Sequence, residues 1–292
     1  KAFADENADE LDALLESPKI NSWVKARAAA LTRFSDWSDD RKRAFLSSLI
    51  GVEATDASVL KHALIEITIA QTEDTPFWSG TSAGQSAVTN VACFQCDDLW
   101  TRLAFLGSTI PSDAGFVLSA TLDTEEELPP NWNRDGLLDL VQSLAEIVGK
   151  TTAPDVIESE LEELAEAGHP RFVRNVIHAS PKVLLGIASG LSRKGIRLEK
   201  FVSTLSEKAQ AGLRSELQRA SRTVESADLS VSTLTRELQD ALLLLRHATV
   251  DVASPKLRYV MERSSQAPIR LAALESFSSF HNSEITMWLI DR

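Results

Sequence analysis

Apolar residues return every third or fourth position in one segment after another of this chain, and almost nowhere in strict alternation. The pattern runs through Ala28 to Phe34, Arg43 to Ile50, Val59 to Ala70, Leu137 to Val148, Val156 to Ala165, Val183 to Leu191, Leu198 to Val224, Leu234 to His247 and Ile269 to Phe280. Positions three and four apart share one face of a helix, so each segment has a stripe to bury against a neighbour. The segments are expected to break at Gly or Pro: Gly51, Pro76, Gly80, Pro111, Pro129, Pro130, Gly149, Pro154, Gly168, Pro170, Pro181, Gly195, Pro255 and Pro268. With 12 Gly and 10 Pro in 292 residues, the tight turns that a sandwich, a barrel or a doubly wound sheet requires are too few. The fold class is therefore all-α, with a helix pair as its unit.

Self-similarity sharpens that reading. Ala26-Arg27-Ala28-Ala29-Ala30-Leu31-Thr32-Arg33-Phe34 and Ile269-Arg270-Leu271-Ala272-Ala273-Leu274-Glu275-Ser276-Phe277 agree at five of nine positions. Thr101-Arg102-Leu103-Ala104-Phe105-Leu106 repeats their Arg-x-Ala-x-Leu core, and Val88 to Phe94 is a degenerate copy without the arginine. Arg27, Arg102 and Arg270 stand 75 and 168 residues apart, near two and four units of roughly 40, which is the HEAT/armadillo period. The expected architecture is a HEAT/armadillo-like α-solenoid of about six to eight imperfect helix pairs, one domain over residues 1–292 with a soft break near 123–133. In such a stack small alanines let helices approach and Leu and Phe fill the shared core. The three arginines are then structural, satisfying a carboxylate or carbonyl on the adjacent repeat.

Composition fits a folded chain, with 43% apolar and 25% charged residues. No apolar run reaches the roughly 18 residues of a membrane span. The N-terminus has no signal-peptide core and no initiator Met, and the chain is read as a segment of a longer protein. The net charge of −12 disfavours broad nucleic-acid binding, which rests on neutralising phosphates. That charge is polarised: residues 1–50 carry 8 basic and 9 acidic side chains, 51–166 carry 4 and 21, and 167–292 carry 18 and 12. The middle and the C-terminal part would present opposite potentials to protein partners or flanking domains.

The order of elements resembles the HEAT-repeat segment of planctomycete-type membrane-bound dehydrogenases, which join a β-propeller, a helical-repeat region and a C-terminal c-type haem domain. The matching stretches are Leu60-Lys61-His62-Ala63-Leu64-Ile65, Asp98 to Leu106, Leu185 to Gly195, and Pro268 to Leu289. The resemblance implies an accessory, connecting role in a periplasmic or secreted parent. It places neither redox cofactor nor dehydrogenase site here, since Cys93-Phe94-Gln95-Cys96 is followed by Asp97 and the haem-attachment Cys-x-x-Cys-His is missing.

Each residue that could carry chemistry could also serve packing. Cys93 and Cys96 lack the two further ligands of a zinc site and fall late in their helix, away from the end that lowers a thiol pKa, so they read as small packing groups. His62, His169, His178, His247 and His281 form no pair at helical spacing. Glu166 and His169 have Glu-x-x-His spacing, but Gly168 and Pro170 end the helix there. Gly186-Ile187-Ala188-Ser189-Gly190 puts its serine one place late for a nucleophile elbow, and its glycines suit a close helix contact. Ser22-Trp23-Val24-Lys25 matches S-x-x-K only as chance allows. No catalytic, cofactor or metal residues are assigned. The acidic run Asp155, Glu158, Glu160, Glu162, Glu163, Glu166 reads as a solvated helix face. Arg193, Lys194, Arg197 and Lys200 cluster at a turn and are the partner-binding candidates, and tryptophans near helix ends are candidate anchors. The expected function is a non-catalytic helical-repeat scaffold or spacer. The rival readings are a HEAT-like nucleic-acid-binding or DNA-processing enzyme, and a sensor domain holding a small ligand between helices.

Overall fold

A computed structural model of the chain describes residues 22–31, 38–50, 56–71, 76–79, 88–92, 96–122, 134–151, 154–166, 172–173, 177–229, 234–280 and 283–291. The soft break expected at 123–133 lies outside the described residues, as do Phe34, Gly51, Cys93, His169 and His281. The fold is all-α. The extended pairing among the described residues is one antiparallel ladder, in which Phe172 faces His178 and Val173 faces Ile177. The chain divides into two compact units, Lys1–Leu144 and Ala145–Arg292.

In the first unit the helices are α1 (Ser22–Leu31), α2 (Asp39–Ile50), α3 (Ala57–Ala70), α4 (Leu99–Gly107) and α5 (Ala114–Leu122), the last entered through a 3-10 turn at Pro111–Asp113. Helix α3 is the hub, with α1, α2 and α4 all packed on it. Its stripe Leu60, Ala63, Leu64 and Ile67 is fully buried. Asp56 starts α3 by accepting from Ser58 N–H at 2.8 Å, and Asp98 starts α4 by accepting from Thr101 N–H at 2.7 Å. Trp78 is fully buried, edge-on to Phe77 and Phe105 with centroids 5.1 and 5.0 Å away. Its indole N–H donates to Ser108 O at 2.7 Å, and its backbone N–H donates to the buried Asp113 carboxylate at 2.9 Å. A large aromatic ring is thereby placed without orphaning its polar edge.

The second unit takes up the end of α6 (Arg134–Thr151), then α7 (Pro154–Glu166), α8 (Ser180–Ser192), α9 (Leu198–Val202), α10 (Glu207–Ser226), α11 (Arg236–Leu245), α12 (Val250–Arg263), α13 (Ala267–Phe277) and α14 (Ser283–Ile290). Two rows run through it. Helices α8, α11 and α13 pack in sequence, α8 on α11 and α11 on α13. In the other row α7 packs on α10 and α10 on α12, while α10 with α11 and α12 with α13 join row to row. Successive helices thus alternate between rows, although the row members begin unevenly, at residues 180, 236 and 267.

Two expected breaks lie inside helices, and one expected run is broken. Gly149 lies inside α6, because the helix continues where its backbone meets another: a β-carbon on Gly149 would stand 2.5 Å from Ile187 O, and one on Gly190 would stand 2.3 Å from Glu146 O. Pro255 sits inside α12. By contrast, Leu198 to Val224 is two helices, because Ser203 and Thr204 donate to the Lys200 and Phe201 carbonyls and Ser206 then caps α10. Pro154 begins α7, and Pro181 and Pro268 occupy first turns, where a missing N–H costs nothing.

Candidate functional site

The basic turn after α8 is built by its backbone. Ile196 N–H reaches back to Leu191 O at 3.1 Å and Gly195 N–H to Ser192 O at 2.9 Å, with Gly195 at φ +71°: the Schellman closure, which a residue without a β-carbon adopts freely. This closure lifts Arg193, Lys194, Arg197 and Lys200 to the surface, where all four are exposed. They do not form one patch of bare charge. Arg193 pairs with Glu146 at 2.7 Å, and Glu146 also holds Lys150 at 3.0 Å and accepts from Ser189 Oγ at 3.1 Å. Burial opposes the Glu146 charge, but these donors outweigh it and keep its carboxyl below the usual carboxylate value. Arg197 pairs with Glu199 at 3.0 Å.

Arg197 and Glu199 also line a half-open cleft of about 200 Å³, shared with Ser192, Ile196, Arg246 and His247. Arg246 and His247 come from the end of α11, so the cleft joins the tip of one row helix to that of the next. His247 is held down to about 4, first by burial and then by the positive Arg246 and Arg197 beside it, so the imidazole is neutral at physiological pH. Two polar atoms in these walls are buried without a hydrogen-bond partner: Arg246 Nε, a donor, and Glu199 Oε2, an acceptor. Neither Arg246 nor Glu199 stood out in the sequence. The available signal was the polar Arg246-His247 pair closing the apolar run of α11.

Other polar groups of the second unit join helix to helix. Lys182 on α8 bonds Asp240 on α11 at 2.7 Å, both largely buried. Ser276 on α13 donates to Leu242 O on α11 at 2.7 Å, and Ser279 to Arg246 O at 3.2 Å. The acidic run of α7, expected to face solvent, is partly spent on α10: Glu158 accepts from Ser206 N–H at 2.7 Å, and Glu162 from Ser206 Oγ at 2.6 Å. Carboxylates suit that place, since the start of a helix presents unpaired N–H groups and positive potential. Burial raises Glu216 on α10 above its usual value, against the pull of Arg219 at 2.7 Å.

The three repeat arginines occupy one register. Arg27 follows buried Ala26, Arg270 follows buried Ile269, and Arg102 follows buried Thr101. That position lies at the edge of the buried stripe, so Arg27 and Arg270 are exposed and Arg102 is half-buried. Arg102 donates to the carbonyls of Cys96 and Asp97, closing the loop that leads into its own helix rather than reaching an adjacent repeat. Cys96 is buried. Of the tryptophans with described surroundings, Trp78 is internal and Trp288 rests on Phe277 under the Arg258 guanidinium. Trp100 alone of these stands out, 68% exposed, beside exposed Leu99 and Leu103.

Among the described residues no three His, Cys, Asp or Glu side chains are grouped to hold a metal ion. No single described helix is long and apolar enough to cross a membrane, although Leu99–Gly107 and Pro111–Leu122, bent by 102°, pass that test as a pair. No protein-family model, no curated protein and no solved structure matches the chain.

Proposed function

We propose that this chain is a non-catalytic helical-repeat scaffold of HEAT/armadillo type, holding flanking domains or a partner protein within a larger periplasmic or secreted redox protein of the membrane-bound dehydrogenase kind. The observation that carries the reading is the double row of the second unit, where α8, α11 and α13 stack while α7, α10 and α12 stack beside them. Repeat proteins bury their cores this way, each helix pair needing the next to cover its apolar face. The use of Lys182, Asp240, Ser276, Glu158 and Glu162 as ties between helices supports it further. On this reading the segment carries no cofactor, nucleic acid is not its partner, and the exposed basic turn meets an acidic surface.

Cross-linking with an amine-reactive reagent, read by mass spectrometry on the natural full-length protein, tests the proposal. Lys194 and Lys200 are expected to link to lysines of another domain or chain. Links confined to residues 1–292 would overturn the scaffold role.

A further inference from the structure

The cleft at the tips of α8 and α11 has a composition that helix packing does not require. Two guanidinium groups, from Arg197 and Arg246, line it together with a neutral imidazole and one carboxylate, Glu199. That carboxylate is engaged with Arg197, and among the described residues none pairs with Arg246. The walls therefore carry one positive charge in excess. The space matters as well: about 200 Å³ takes one small ion with part of its hydration.

We propose that this cleft binds a tetrahedral oxyanion, a free phosphate or the phosphate of a small monoester, between the guanidinium groups of Arg197 and Arg246. Guanidinium groups present paired N–H donors that fit oxyanion edges, and a tetrahedral ion offers separate edges to two of them, whereas a flat carboxylate offers one. The Glu199 carboxylate in the same wall makes the choice narrower. Hydrogenphosphate and a singly protonated monoester carry acceptor oxygens for the guanidinium groups and a P–O–H donor for the carboxylate. Sulfate has no proton near neutrality and would face the Glu199 carboxylate with like charge. This site goes beyond the scaffold role and does not rest on it.

Isothermal titration of the whole chain near pH 6, where a phosphate monoester with its second pKa about 6 is about half singly protonated, with inorganic phosphate, sulfate, glycerol phosphate and acetate tests the assignment. Phosphate is expected to bind saturably, sulfate and acetate at least tenfold more weakly. R197Q and R246Q should each weaken phosphate at least tenfold, and E199Q should erase the preference over sulfate. Arg197 is 61% exposed, so R197Q keeps the fold and reads the site alone. Tighter binding of glycerol phosphate than of phosphate assigns a monoester, and the reverse order assigns the free ion. His247 is a second readout. It is faced by Arg246 on its own helix end, by Arg197 and Glu199 from the α8–α9 segment and by Ser279 beyond α13, and phosphate offsets the two guanidinium charges that, after burial, hold its titration down. Its imidazole NMR titration should move upward when phosphate saturates. Absence of saturable phosphate binding up to about 10 mM, equal affinity for acetate, or unchanged affinity in R197Q would each overturn the proposal.

Discussion

Substituting Gly190→Ala puts the packing of the second unit to a quantitative test. A β-carbon at Gly190 would lie 2.3 Å from Glu146 O, 2.7 Å from Lys150 N and 2.8 Å from Gly149 C. All three are backbone atoms of α6, so no side chain can swing aside. Ordinary carbon contacts begin near 3.5 Å, so the two helices must separate by about 1 Å. The separation thins the contacts of the buried Ala145, Val148, Ile187 and Leu191 around the crossing. Overpacking of this kind costs about 1–3 kcal/mol, here toward the upper end, while alanine's better helix propensity returns about 1 kcal/mol. The net loss is about 2 kcal/mol in urea denaturation followed by far-ultraviolet circular dichroism. Gly149→Ala, with Ile187 O 2.5 Å from its β-carbon, should lose a similar amount. The double variant should lose less than the sum, since the first β-carbon has already parted the helices. Gly195→Ala is the control: nothing lies within 4 Å, and its cost of about 1–2 kcal/mol comes only from the +71° φ. A G190A protein as stable as the parent would refute the backbone-to-backbone crossing.

Three further outcomes follow from the same geometry. His247 is held near 4 in the fold against about 6.5 unfolded, so as pH falls through that window the unfolded chain takes a proton that the folded chain refuses; stability should drop by about 2 kcal/mol from pH 7.5 to pH 5. H247Q should remove that part of the slope, and parallel pH profiles of parent and variant would contradict it. Lys182→Met takes the Lys182 bond from the largely buried Asp240 carboxylate and should cost about 1.5–3 kcal/mol, whereas K182M with D240L should recover most of it, measured by urea denaturation. Ser206→Ala removes the α10 cap and the hydroxyl held by Glu162, for a loss of about 1–2 kcal/mol in the same assay; a neutral result would contradict the cap and the Glu162 bond.

Much of the helical layout is legible in local spacing, because amphipathic periodicity and first-turn prolines are properties of a few consecutive residues. Helices α3, α7, α8, α11 and α13 fall where the apolar stripes of Val59 to Ala70, Val156 to Ala165, Val183 to Leu191, Leu234 to His247 and Ile269 to Phe280 put them. What the spacing does not hold is the partner. Gly149 reads as a helix end until Gly190 is known to lie against it. The run from Leu198 to Val224 reads as continuous because Ser203, Thr204 and Ser206 are individually tolerable in a helix, and only together do they turn the chain. The basic cluster was visible at Arg193, Lys194, Arg197 and Lys200, but the cleft needed Arg246 and His247, which a chain segment of some fifty residues separates from it. Lys182 and Asp240, 58 positions apart, carry no mutual signal in the sequence at all.

Native-state hydrogen exchange resolved by residue measures the central claim, that the second unit is a stack in which each helix is covered by the next. In a stack the exposed end opens first, so amides of α14 and then α13 should exchange through openings of lower free energy than those of α10 and α11, with denaturant separating the steps. A single shared opening free energy across α8, α10, α11, α12, α13 and α14 would contradict it, and with it the helical-repeat reading on which the scaffold role rests.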